Sequence, residues 1–227
     1  MNKDIIIFGV GKIADVIQHY MRFESNLKVI GFTVDNEYIT DKEFNGLPVI
    51  AFDDIEKQFP PEKYSLFIAV GYHDLNNVRA KKMKEAEAKG YELISYIHPN
   101  SGVPSDLVYG KNCFIMNNVC IHPRVKLGDD VFVWSGVIIG HHSTIGNHNW
   151  LTSGTNISGN VGIGNHCFFA INSTLGHSIN IGNNVFVGAN TLITKNIEDD
   201  KVVIKESDKP IKLTSKQFLK FSSFSNI

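Results

Sequence analysis

The chain carries no excess of charge: 22 Lys and Arg are set against 23 Asp and Glu, a formal net charge of −1. That balance argues against nucleic acid or an anionic membrane as the main partner, because both call for a basic face. Long hydrophobic runs are missing too. No apolar stretch approaches the ~20 residues that a bilayer span needs, so no membrane insertion is expected. The opening residues, MNKDIIIFGV, read as a buried strand entering a glycine turn. They lack the apolar stretch and cleavage site of a secretion signal. Cysteine is scarce. Cys113, Cys120 and Cys167 are odd in number and have no metal-ligand spacing, so reduced thiols, a cytoplasmic protein and no metal are expected. The composition is otherwise ordinary: 227 residues with 43% hydrophobic content suffice for one large domain or two small ones.

The strongest positive signal is a repeat. Stepping by six from Ile97 gives Val103, Tyr109, Ile115, Ile121, Leu127, Val133, Ile139, Ile145, Leu151, Ile157, Ile163, Phe169, Leu175, Ile181, Val187 and Ile193, all apolar and with no break in register. Glycine follows at Gly128, Gly140, Gly146, Gly164, Gly176, Gly182 and Gly188, where it is expected to permit the turn. Small or β-branched residues stand four positions after most of the apolar ones. A six-residue period suits a short strand plus a tight turn stacked on copies of itself. Three such units close one triangular coil, so equivalent positions recur every eighteen residues. A β-sandwich would instead alternate with period two and vary its loops. The pattern predicts a parallel β-helix over residues 97–204.

Residues 1–96 follow a different grammar. Asp4–Phe8 reads as a strand, Lys12–Arg22 as a helix, Leu27–Phe32 as a strand ending near Asp35, and Ser65–Val70 as a strand ending at Gly71. A helix from Asn76 to Lys89 and a strand over Glu92–Tyr96 complete the alternation, which is that of a parallel sheet. Gly9-Val10-Gly11, between strand and helix, suits a phosphate at a helix N-terminus. Ala14 stands where a dinucleotide turn would have its third glycine, so a purely structural turn is an equal reading. His98-Pro99-Asn100 marks the passage into the repeat, and residues 205–227 form a tail.

Three stretches of the N-terminal part, IIIFGVGKIADVI, VIGFTVD and IAVGYHDLNNVR, and three of the repeat, SGVIIGHHSTIG, ISGNVGIG and IGNNVFVGANTLITKNI, resemble the sugar acyltransferases grouped with sialic acid O-acetyltransferases and bacillosamine and perosamine N-acetyltransferases. The resemblance covers all but roughly the last twenty residues. It implies a Rossmann-like N-terminal domain that holds a nucleotide-linked sugar, a left-handed parallel β-helix that forms a homotrimer, and acetyl-CoA lying between neighbouring coils. It implies a role in surface polysaccharide biosynthesis. Gly9, Val10, Gly11, Asp35 and Gly71 would then line the substrate. His141, in the family's GH motif, would be the general base, and Gly159, one coil on, would admit the thioester. Trp150, His177 and Ala189 would lie along the cofactor.

Acetyl transfer needs a base that titrates near neutrality and a donor for the developing oxyanion. The repeat holds seven histidines, His98, His122, His141, His142, His148, His166 and His177, most of which are expected to be outward-pointing turn residues. Two departures from the family stand out. His142 follows the base where relatives carry Asp or Glu, so no carboxylate charge supports it, and Trp150 replaces a histidine beside the cofactor. The tail also differs. Lys205, Lys209 and Lys212 read as a solvated basic stretch ahead of the other reading, point charges facing the CoA phosphates, while Phe218, Leu219, Phe221 and Phe224 are expected to pack on the β-helix or a neighbouring subunit. Three further readings stay open: O-acetylation of a free sugar such as sialic acid, a non-catalytic scaffold, and a zinc site of the γ-carbonic anhydrase kind using the stacked pair His148 and His166.

Overall fold

The computed structural model describes residues 3–221. The N-terminal domain runs β1 (Asp4–Phe8), α1 (Lys12–Phe23), β2 (Val29–Val34), β3 (Glu43–Phe44), β4 (Leu47–Ala51), α2 (Ile55–Gln58), β5 (Tyr64–Ile68), α3 (Asn77–Ala88) and β6 (Glu92–Leu93). The sheet order is β3-β4-β2-β1-β5-β6, parallel throughout except for the β3–β4 hairpin. That hairpin and α2 were not legible in the sequence, and β2 lies two residues later than the apolar run suggests. The chain leaves β1 toward β2 on one side and returns to β5 on the other, so a crevice opens beyond the C-terminal strand ends.

Tyr96–Ile97 is already the first strand of the β-helix. From there two-residue strands stack in register at eighteen-residue steps, as in Phe132↔Trp150 and Ile139↔Ile157. They form three sheets of seven, five and four strands, the faces of a left-handed triangular prism. The six-residue ladder points inward, and from Ile115 to Ile193 all its members are buried in one core. Cys113 and Cys167 lie inside that core, where burial pushes their thiols up to about 12 and about 11.

The turn glycines have a different job from the one expected. None of those from Gly128 to Gly188 that follow the ladder has a positive φ. A Cβ on Gly140 would instead lie 2.5 Å from Gly159 N, in the coil above, so glycine is there because successive coils touch. The left-handed position comes two residues later and is filled by Asn118, Asp130, His142, His148, Asn160, His166 and their equivalents, residue types that tolerate it.

The N-terminal domain rests on the seven-stranded face, here called the domain face. A column of aromatic rings at eighteen-residue steps covers it: Tyr96, Phe114, Phe132, Trp150, Phe168 and Phe186. Phe132 and Trp150 stack at 4.9 Å, as do Phe168 and Phe186. Five of the six, all but Phe186, are buried in one cluster with Ile5, Ile7, Phe32 and Phe67 of the sheet and Ile17 and Met21 of α1. Burying such side chains contributes roughly 1.5–3 kcal/mol each. At the centre of this seam lies a charged group. Arg79 Nε donates to Asp130 Oδ1 at 2.6 Å with both side chains fully buried, and the guanidinium lies over the Phe132 ring at 4.2 Å. Asn112 Nδ2 and His148 Nδ1 hold the same carboxylate at 2.8 and 2.9 Å.

At the other end, the tail carries a short helix over Ser215–Phe221. Phe218 and Leu219 are more than half exposed. Phe224 and the side chain of Phe221 fall outside the described residues.

Removing the guanidinium would strand a carboxylate in a dry seam. Arg79→Met should therefore cost about 3–5 kcal/mol in urea unfolding, whereas Lys111→Ala, which breaks the exposed pair with Glu87, should shift the midpoint little. Similar midpoints for the two variants would show that the seam charge is solvated.

Candidate functional site

The residues expected to act fall in three places. The first is the crevice of the N-terminal sheet. Gly9, Val10 and Gly11 follow β1, Asp35 follows β2, and Gly71 stands three residues beyond β5. Gly9 has φ +124, and a Cβ there would meet the Ala69 carbonyl at 2.9 Å, so this glycine serves the approach of β1 to the β5 end. Gly11 is different. It sits at the N-cap of α1 with an ordinary φ of −97, and a Cβ would touch nothing within 4 Å. The space over the start of α1 is open, where backbone N–H groups and the helix dipole favour an anion. Asp35 accepts a 2.7 Å bond from Lys82 Nζ, so its carboxylate is already partnered at the crevice rim.

The second place is the prism corner between the five- and four-stranded faces, opposite the domain face. His141, Gly159 and His177 occupy the same turn in three successive coils there. The His141 ring lies in the space that the missing side chain of Gly159 leaves: a Cβ at that position would fall 2.6 Å from Cε1 and 2.7 Å from Nε2. Beyond it stands His177, ring centroid 6.3 Å away. On the other side His142 turns back, because φ +59 at that residue brings its Nδ1 to 3.1 Å from His141 Nδ1. One of the two nitrogens carries the shared proton. With His141 Nδ1–H as the donor, Nε2 of the same ring keeps its lone pair and can take a proton. Asn160, next to Gly159, donates its N–H to the His141 carbonyl at 2.8 Å and holds the turn.

The third place is the seam, which claims residues expected elsewhere. Trp150 is 2% exposed, stacked on Phe132 beneath the N-terminal domain, so its ring is not offered to a cofactor on the open prism surface. His98 is buried, not outward. His148 and His166 do stack, at 4.7 Å, but His148 is bonded to Asp130 and His166 to the Leu75 carbonyl. Burial, and then the neighbouring His148, pull the His166 ring below the usual histidine range. Among the described residues no group of three His, Cys, Asp or Glu is placed to hold a metal ion, and the stacked histidines are engaged by the domain contact. Ala189 lies exposed at a third location, the corner that follows the domain face, and so apart from Gly159 and His177 in the same chain.

The aromatic column and the Arg79–Asp130 pair were missed from the sequence. The signal was there: a ring precedes the inward residue at every third hexapeptide from Tyr96 to Phe186.

Comparison with known proteins places this geometry. Residues 4–86 match the PglD N-terminal domain, residues 110–141 the bacterial transferase hexapeptide (six repeats), and residues 160–195 the hexapeptide repeat of succinyl-transferase. No curated protein matches by sequence. Among solved structures, PerB from Caulobacter crescentus, in complex with CoA and GDP-perosamine, superposes with a TM-score of 0.80 at 23% identity over 90% of this chain and 95% of that one. The acetyltransferase domain of PglB from Neisseria gonorrhoeae, in complex with acetyl coenzyme A, gives 0.80 at 23% over 93% and 100%. WeeI from Acinetobacter baumannii gives 0.75 at 18% over 90% and 97%. By fold and repeat this is a hexapeptide-repeat protein of the left-handed β-helix class. It joins a stretch that matches the PglD N-terminal domain to such repeats.

The imidazole resting over Gly159 makes a direct forecast. Gly159→Ala should evict the ring and break the His141–His142 contact while leaving the melting temperature nearly unchanged, since the corner is exposed. Imidazole ¹⁵N spectra should show one protonated and one bare Nδ1 in the wild type and lose that pairing in the variant. Retention of the signature would mean that the ring does not need the glycine.

Proposed function

We propose that the chain is an acetyl-CoA-dependent acetyltransferase that modifies an amino or deoxy sugar carried on a nucleoside diphosphate, in the making of a surface polysaccharide. The observation that carries the reading is His141, held by His142 over Gly159 on an open corner of a hexapeptide prism that also carries a domain with a Rossmann-like crevice. Neighbours of the same fold hold CoA, acetyl-CoA and GDP-perosamine, which supports the choice of donor and acceptor.

The chemistry follows from the residues. The acceptor amine or hydroxyl attacks the thioester carbonyl as His141 Nε2 takes its proton. The oxyanion that develops is met by backbone N–H at Gly159. The tetrahedral adduct collapses, the C–S bond breaks, and CoA leaves as its thiol with the proton returned from His141. His142 fixes the tautomer and orientation of the base but adds no negative charge, so it supports the imidazolium less than a carboxylate would.

A purified-protein assay tests this. Acetyl-CoA with UDP-, GDP- and dTDP-linked amino sugars should give an acetylated sugar and free CoA. His141→Ala should lower turnover by about 10²–10⁴-fold with CoA affinity kept within a few fold, and His142→Ala should cost less. A protein that binds neither acetyl-CoA nor CoA would be a scaffold instead.

The active unit is proposed to be a homotrimer. His141 stands on the corner opposite the face that carries its own N-terminal domain, and Ala189 stands on another corner, so one chain does not bring crevice, base and cofactor residues together. A neighbouring prism does, and a closed ring of three such contacts has C3 symmetry. Light scattering at micromolar concentration should give three times the chain mass; a monomer there would sink the assembly.

A further inference from the structure

The loop that follows β5 is unusual in its backbone and in what it displays. Asp74, Leu75 and Asn76 are consecutive non-glycine residues in the left-handed region, at φ 49, 45 and 68, an arrangement that L residues adopt only against a steric penalty. The β-helix holds the loop there: Asn76 Nδ2 donates to the His148 carbonyl at 2.8 Å and His166 Nδ1 meets the Leu75 carbonyl at 3.2 Å. Within the N-terminal domain, Arg79 donates to the Val70 carbonyl at 3.2 Å. The consequence is the placement of Tyr72. The residue is 52% exposed, yet its ring is backed by Phe168 at 4.4 Å and by Trp150 at 5.6 Å. An exposed aromatic face braced from behind by two buried rings is a ready-made platform for a flat apolar surface.

The order of the strand ends says what lies on it. Asp35 follows β2, the Gly9–Gly11 turn follows β1, and Gly71-Tyr72 follows β5, and β2, β1 and β5 are consecutive in the sheet. A nucleoside diphosphate sugar whose diphosphate sits on the central turn at the start of α1 has one end over β2 and the other over β5. The β5 end is the one that Tyr72 joins to the prism. We propose that Tyr72 is a sugar-binding residue: its ring carries the apolar face of the pyranose, while the nucleoside lies on the β2 side. This rests on the nucleotide-sugar reading given above and adds the direction of the ligand and the residue that recognises its sugar end.

Calorimetric titration of the full-length protein with UDP-, GDP- and dTDP-linked amino sugars, each against its own free nucleoside diphosphate, tests it. Tyr72→Ala should weaken the nucleotide sugar about five- to tenfold, in line with aromatic contacts of this size, and leave the free diphosphate within about twofold. Tyr72→Phe should retain the wild-type values, since the face and not the hydroxyl makes the contact. Equal weakening of sugar-linked and free nucleotide would place Tyr72 at the nucleoside and overturn the proposal, and so would no weakening of either. If the wild type binds no nucleotide at all, it is the nucleotide-sugar reading that falls, a result distinct from both. Should Tyr72→Ala unfold, Tyr72→Leu, which keeps apolar cover over Phe168 but has no aromatic face, should show the same split.

Discussion

Each residue of the prism stacks on the residue one coil away, and that single translation governs the rest of the molecule. Because the step is eighteen residues as far as Ile193 and shortens to sixteen only in the last coil, any requirement at one position becomes a column. The inner column must be apolar, as it is from Ile115 to Ile193. The position where coils touch must lack a side chain, which accounts for Gly140 against Gly159 and Gly146 against Gly164. The left-handed corner must tolerate φ near +57, hence Asn, Asp, His and Gly at nearly every level, with Arg124 and Ser178 as the departures. A further column of Asx side chains runs up one edge, each accepting from the backbone of the coil below: Asp129 from Lys111, Asn147 from Asp129, Asn165 from Asn147, Asn183 from Asn165. The fold is thus over-determined, and stability in it is close to a sum over neighbouring coils.

The same translation makes a surface that one domain can recognise. Six aromatic rings at the outer position of one face present a continuous apolar strip, and the N-terminal sheet covers it. A strip of stacked rings would let a partner slide along it. The polar groups in the seam remove that freedom. Arg79 and Asp130 are both fully buried, and Asn112 reaches from the β-helix to the β5 backbone, accepting from Ile68 N–H at 2.7 Å and donating to its carbonyl. Such groups add less net energy than the rings do, but a shift by one coil would leave a charge and several dipoles unpaired in a dry interface. Register between the two domains is therefore set by hydrogen bonds, and cohesion by the rings.

What the sequence disclosed, and what it hid, follows from this division. A repeated requirement is visible in one chain, because the chain supplies its own many copies: the ladder, the glycines and the coil length are all legible in the order of the residues. The alternation of strand and helix in the first 96 residues is visible for the ordinary reason of hydrophobic patterning. What stays hidden arises once only. Arg79 reads as one more polar residue on a helix, and nothing near it in sequence says that Asp130 is its partner fifty-one residues on. Trp150 reads as a substituted cofactor residue through the resemblance alone, and its membership of the aromatic column is masked. Glycine is visible but its purpose is not, because the letter G does not distinguish a turn that needs positive φ from a contact that excludes Cβ.

Gly159 joins these two uses of the repeat. Along one edge of the prism the coil-contact glycine is followed by a side chain that bonds the coil below, as at Asp129, Asn147, Asn165 and Asn183. At this corner the following position is itself emptied: Ser158 takes the place of the first glycine, Gly159 that of the side chain, and the imidazole of His141 from the coil below fills the vacancy. Above it His177 restores the column. A histidine, a gap and a histidine, at one turn of three successive coils, is a local exception to a rule that the rest of the molecule obeys without interruption. The ring it accommodates is exposed at the corner, and its Nδ1 is met by the Nδ1 of His142. That is the arrangement a proton acceptor needs, on a scaffold rigid enough to hold it.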